Sequence, residues 1–162
     1  MHFLSSNFEL LSIYFLSNVL YILEKNKGNF VSGQEIAEKA NVSRSAVAKC
    51  VASLKSEGFL IQSVNNQGHL LELENDILSE SGIKAHLRES TDTEVYVYKS
   101  IDSTNSEAKR RIAEGLSSDA IFAAEAQTAG RGRRGKSFYS PSSVGIYFSA
   151  VLHPEVRLSD ST

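Results

Sequence analysis

The sequence predicts an α+β chain in two parts, a winged helix-turn-helix followed by a strand-helix-strand region. Three observations predict it. Residues 18–75 read as helix, short helix, three-residue turn, longer helix and hairpin. Residues 94–153 alternate strand, helix and strand. Between them lie a short helical stretch and a polar run, Arg88 to Glu94, with the composition of a linker. The expected boundaries are an N-terminal extension over 1–17, the winged helix over 18–75, a helical linker over 76–93, and a second domain over 94–162.

Bulk composition sets limits on function. The chain has 162 residues and a formal net charge of −2, so nucleic acid or membrane must be met by a local patch and not by overall charge. A single cysteine, Cys50, excludes an internal disulfide framework and suits a reducing compartment. The histidines His2, His69, His86 and His153 are scattered, give no metal-ligand spacing, and read as surface or loop residues. The apolar stretch from Phe8 to Leu23 is interrupted by Glu9, Ser12, Ser17 and Asn18 and has no basic start. It reads as core helix, neither a secretion signal nor a membrane span. A cytoplasmic protein with no membrane partner is the expectation.

In the first part, Val19, Leu20, Ile22 and Leu23 mark an amphipathic helix that stops near Gly28. Ser32 caps a second helix, with Glu35 at capping-box spacing. Asn41-Val42-Ser43 turns the chain, and Ser43 caps a third helix carrying Ala46, Val47, Cys50, Val51 and Leu54 as its apolar stripe. Gly58 ends it. Two short strands around Asn65-Asn66-Gln67-Gly68 form the expected hairpin.

In a winged helix the third helix enters the DNA major groove, N-terminal residues first. The exposed positions there are Ser43, Arg44, Ser45, Ala48 and Lys49. Arg44 suits a guanine edge or a phosphate, and Lys49 a phosphate. The wing from Asn65 to His69 carries no Lys or Arg, which predicts a weak phosphate grip. The same architecture also serves protein interaction, and the sequence leaves both readings open.

In the second part, Val95 to Tyr98 is a strand, and a helix is expected from Asn105 to about Glu114, with Thr104 and Glu107 as its capping box. Ser103, Thr104 and Asn105 then sit on a strand-to-helix turn, as caps or as a ligand corner. Ala120 to Ala126 and Ser143 to Leu152 are further strands. After Gln127 comes a run with three glycines and four cations, Arg131, Arg133, Arg134 and Lys136. Glycines at 130, 132 and 135 let backbone approach a ligand, and guanidinium forks match carboxylate and phosphate. The run reads as an anion-binding flap, with a basic surface loop or an RNA-touching segment as alternatives. The Walker spacing is missing, and no dinucleotide-binding helix follows the Gly-x-Gly-x-x-Gly match.

Ser-Ile-Asp-Ser-Thr-Asn at 100–105, Ala-Gly-Arg-Gly-Arg-Arg-Gly at 129–135 and the Phe-Tyr-Ser-Pro that follows resemble the biotin protein ligase family. The winged helix with Ser-Arg-Ser-Ala-Val-Ala-Lys at 43–49 resembles the DNA-binding module of its bifunctional, operon-repressing members. The resemblance implies that 94–162 is the first part of a class II synthetase-like α/β catalytic domain. It implies that Ser103, Thr104, Asn105 and Gln127 line a biotin pocket. Gly130, Arg131, Gly132 and Arg133 would close over biotin and its adenylate, with Phe138 near the adenine.

The implied substrates are biotin and ATP with Mg2+, and biotinyl-adenylate is the implied intermediate and corepressor. The implied partners are the biotin carboxyl carrier protein, operator DNA and, for the full-length form, a second copy. The family's catalytic lysine, in a Lys-Trp-Pro-Asn stretch, lies beyond these 162 residues. On that expectation the chain is an N-terminal part, inactive in ligation by itself. The alternative is a regulator that senses biotin or biotinyl-adenylate without catalysis.

Overall fold

The computed structural model describes residues 3–88 and 91–153, with side chains of the first helix described from Ser12 onward. Its backbone forms two units, Met1–Leu87 and Arg88–Thr162. The first unit is helical with a two-stranded sheet and the second is mixed α/β, as the α+β reading expects.

Helix α1 is continuous from Phe3 to Lys25 and so takes in most of the segment expected as an extension. Val19, Leu20, Ile22 and Leu23 are its buried face. Gly28 then turns the chain at φ +80°. Ser32 caps α2 (Gly33–Ala40) by accepting from Glu35 N, as its spacing predicts. The other half of the expected box is absent: the Glu35 carboxylate pairs with Lys39, 2.7 Å away on the next turn. That i,i+4 pair competes for the same carboxylate. Asn41 takes the left-handed conformation (φ 53°) as the C-cap of α2, and Val42 N donates to Ala37 O. Ser43 caps α3 (Arg44–Ser56) through Ala46 N, which fixes the start of the third helix.

Strands β1 (Ile61–Val64) and β2 (Gly68–Leu71) pair antiparallel, with Ser63 opposite His69 and Val64 opposite Gly68. Val31 and His69 exchange both backbone hydrogen bonds, at 2.8 and 2.9 Å, so the segment before α2 lies along the wing. Gly68 has φ +108°, and a Cβ there would lie 2.1 Å from Val31 O. Only glycine fits that point. Val19, Leu23, Ile36, Val47, Leu54 and Leu71 make the centre of the core, each nearly inaccessible to solvent. Helix α4 (Glu80–His86), within the stretch expected to be a linker, packs on α1 with Ser81 Oγ donating to Ser17 O.

In the second unit β3 (Glu94–Tyr98) runs parallel to β4 (Ala120–Ala124), and β5 (Tyr147–Val151) is antiparallel to β4 on its other side. Helix α5 (Thr104–Ala113) connects β3 to β4. Its face of the sheet holds Tyr96 stacked on Phe122, ring centroids 5.0 Å apart, with Arg111 4.6 Å from the Tyr96 ring. Alternation places Val95, Val97, Ile121, Ala123, Phe148 and Ala150 on the other face. The third strand is shorter than expected because Ser143, at φ 64°, is still in a turn. Among the described residues no helix is long and apolar enough to cross a membrane.

Candidate functional site

The strand-to-helix corner is built differently from the capping box that the sequence suggests. Ser103, not Thr104, is the N-cap of α5, accepting from Ser106 N at 3.5 Å. Thr104 is thereby released for long-range contacts, and Glu107 pairs with Arg110 at 2.6 Å. Ser103 and Thr104 are buried, while Asn105 is exposed on the first turn.

Gln127 ties this corner to the flap. Its Oε1 accepts from Thr104 N at 2.9 Å and from the Thr104 hydroxyl at 3.3 Å. Two donors fix that atom as the oxygen, so Nε2 faces the other way and donates to Ser140 Oγ at 3.1 Å. Ser140 Oγ in turn donates to Phe138 O at 3.1 Å. Gln127 N also donates to Ser140 O at 2.9 Å. Behind the corner, Thr104 Oγ1 and Ser149 Oγ of β5 are 2.9 Å apart. One partly buried polar chain therefore runs from β5 through α5 and Gln127 to the base of the flap.

Thr104→Val keeps the side-chain shape and removes its hydroxyl, leaving Gln127 Oε1 and Ser149 Oγ each short of a bond. The expected cost is about 1–3 kcal/mol, measured by urea unfolding. An unchanged midpoint would show that the chain of bonds contributes nothing.

The flap is more ordered than a glycine-arginine loop suggests. Phe138 N donates to Gly130 O at 2.8 Å, and Gly132 N to Lys136 O at 2.7 Å. Arg131 bridges to Ser137, and Arg133–Gly135 form a single 3-10 turn with Arg134 left-handed at φ 58°. The result is a narrow hairpin. Its base requires Gly130, because a Cβ there would lie 2.6 Å from both Phe138 O and Ser140 Oγ. Arg131, Arg133, Arg134, Lys136, Ser137 and Phe138 line an open cavity of about 730 Å³. The four cations are exposed, and Phe138 is 54% exposed beside them. Such a surface offers donors and an apolar ring to an anion with a flat group.

The sequence reading missed Ser140 and Ser149, which are joined to the corner only through the fold. It also gave no role to Asp102, whose carbonyl accepts from Ala129 N at 2.7 Å at the entry to the flap. Arg110 grips the Asp102 carboxylate with both arms, at 2.8 and 2.9 Å. That fork, with a further bond from the Ser103 backbone, holds the Asp102 carboxyl well below the usual range.

In the first unit, Ser43, Arg44, Ser45, Ala48 and Lys49 share the exposed start of α3. The Ser43 oxygen is occupied by its cap and lies 2.9 Å from Ser45 Oγ. Among the described residues Arg44 and Lys49 have no hydrogen-bond or ion-pair partner and stay available to a ligand. From the end of α3, Lys55 Nζ reaches across to donate to Ser63 Oγ of β1 at 3.0 Å.

Residues 16–70 match the HTH domain family, and residues 97–162 match the Biotin/lipoate A/B protein ligase family. Relatives named bifunctional ligase/repressor BirA cover most of the chain. The protein of Bacillus subtilis is 28% identical over 142 residues, 87% of this chain and 44% of its own length. That of Escherichia coli is 36% identical over 122 residues, 75% of this chain and 37% of its own length. The Salmonella typhimurium protein matches over the same span at 36%. The chain thus spans less than half the length of these curated relatives. It couples a segment that matches the HTH domain family to one that matches the biotin/lipoate A/B protein ligase family, and over most of its length it is similar to bifunctional ligase/repressors.

Proposed function

We propose that the chain binds biotin and biotinyl-adenylate between the Ser103–Thr104–Asn105 corner and the flap. On this reading it forms the N-terminal part of a cytoplasmic biotin protein ligase that also represses transcription. The winged helix (18–75) would hold operator DNA through Ser43, Arg44, Ser45 and Lys49. The segment 76–93 would link it to the ligand domain beginning at residue 94, and a second copy would complete the repressor.

The observation that carries this reading is the bond chain Thr104–Gln127–Ser140–Phe138, which brings the corner and the flap base together. In the two-step reaction, the biotin carboxylate attacks the α-phosphorus of ATP and expels pyrophosphate. A carrier-protein lysine then attacks the acyl carbon and expels AMP. Both steps gather negative charge on phosphoryl and acyl oxygens. Arg131 and Arg133, with the N–H group of Gly130, are suited to stabilise it. The second Nε2 hydrogen of Gln127 is left for a ligand oxygen, and Phe138 offers a flat apolar face for adenine. Mg2+ would travel with the ATP phosphates.

The test is retention of labelled biotin by the chain with magnesium ATP. Arg131→Gly is expected to lower retention about tenfold or more, the worth of a charge-assisted bond. Equal retention would contradict the assignment of the flap.

A further inference from the structure

A second groove, of about 450 Å³, lies in the first unit between the start of α2, the start of α3 and the wing. Gly33, Arg44, Ser63, Asn66, Gly68 and His69 are among the residues lining it. Arg44 comes from the recognition helix, His69 from β2. His69 is half-buried and held unusually firmly. Its backbone is bonded to Val31 on one side and registered against Ser63 on the other, and glycine is obligatory just before it.

The ring is oriented by a relay. Lys55 Nζ lies 3.0 Å from Ser63 Oγ, and Ser63 Oγ lies 2.9 Å from His69 Nδ1. An ammonium only donates, so Ser63 Oγ accepts from Lys55 and keeps its own proton to give to Nδ1. In that tautomer the imidazole proton sits on Nε2, the atom 3.9 Å from where a Cβ of Gly33 would lie. Burial and the nearby Lys55 charge both lower the His69 pKa, which favours the uncharged ring.

We propose that this groove seats a backbone phosphate of nucleic acid, gripped by the Arg44 guanidinium and by the Nε2–H of His69. The inference rests on the DNA-binding reading and adds a contact that the wing's lack of Lys and Arg had hidden. Arg44 supplies charge to the phosphate. His69 supplies direction.

The two contacts differ in their response to salt. Only a cation releases a counterion when it meets phosphate, so removing one lowers the slope of log affinity against log salt by about 1. The experiment measures the affinity of the chain for a short mixed-sequence duplex across a salt series, with thermal melts confirming that each variant is folded. Arg44→Ala is expected to weaken binding and lower the slope by about 1. His69→Ala is expected to weaken binding about tenfold with the slope unchanged, the worth of one directed bond. His69→Gln, which keeps a donor, should recover most of the loss.

Unchanged affinity in His69→Ala overturns the proposal, and so does a slope lowered like that of Arg44→Ala. NMR of the His69 ring in the free chain tests the relay independently, and a proton on Nδ1 also overturns it. If the wild-type chain does not bind the duplex at all, the DNA reading itself fails. Inorganic phosphate then decides the groove: a shift of the Nε2 resonance supports an anion seat, and no shift removes it.

Discussion

Gly68→Ala is expected to destabilise the first unit by about 3 kcal/mol and to abolish duplex binding by the wing. Two costs add. The residue must keep φ +108°, a region that alanine avoids. Its Cβ would also lie 2.1 Å from Val31 O, a backbone atom already bonded to His69 N and unable to swing aside. Relief requires the strand pair between Val31 and His69 to open, which also displaces the imidazole from the groove. Hydrogen exchange at the Val31 and His69 amides is the local readout. Both should exchange faster in the variant, while the second unit keeps its protection. Unchanged exchange at both amides would mean that the wing accommodates a methyl group and that its glycine is incidental.

Gly130→Ala carries the second large effect. Its φ is ordinary, so the cost is purely steric: Phe138 O and Ser140 Oγ both stand 2.6 Å from the new methyl group, with Gln127 Nε2 at 3.2 Å. Moving Ser140 breaks its bond from Gln127, and moving Phe138 breaks its bond to Gly130. The expected loss is about 1–3 kcal/mol of stability in the second unit. Retention of labelled biotin with magnesium ATP should also fall. Gly132→Ala is the internal control, since a Cβ there meets nothing closer than Lys136 O at 3.3 Å. Equal behaviour of the two variants would argue that the flap base is not a fixed joint.

What was legible in the sequence was local. The caps at Ser32 and Ser43 were readable because each serine bonds an N–H three residues on, within one helical turn. The hairpin was readable from Asn66 and Gly68, the two wing residues that take positive φ. The corner was misread by one residue for the same reason. Ser103, Thr104 and Asn105 are all good caps, and the choice among them is made by Gln127, 23 residues away from Thr104.

Ser149 was invisible because its partner Thr104 is 45 residues distant. The hairpin form of the flap comes from cross-pairing of Gly130 with Phe138 and Arg131 with Ser137, which local propensity does not encode. His69 read as a surface histidine because a lone imidazole in a polar hairpin carries no pattern. Its environment is set by Lys55 on a helix and Val31 before another.

On the proposed reading the Ser103–Thr104–Asn105 corner and the glycine-arginine hairpin hold one ligand between them. Limited tryptic digestion tests it most directly, because Arg131, Arg133, Arg134 and Lys136 are all exposed cleavage points. Biotin with magnesium ATP is expected to slow cleavage across residues 128–138 while leaving cleavage after Arg44 and Lys49 unaltered. Cleavage of the hairpin at the same rate with and without these ligands would show that the corner and the hairpin share no ligand.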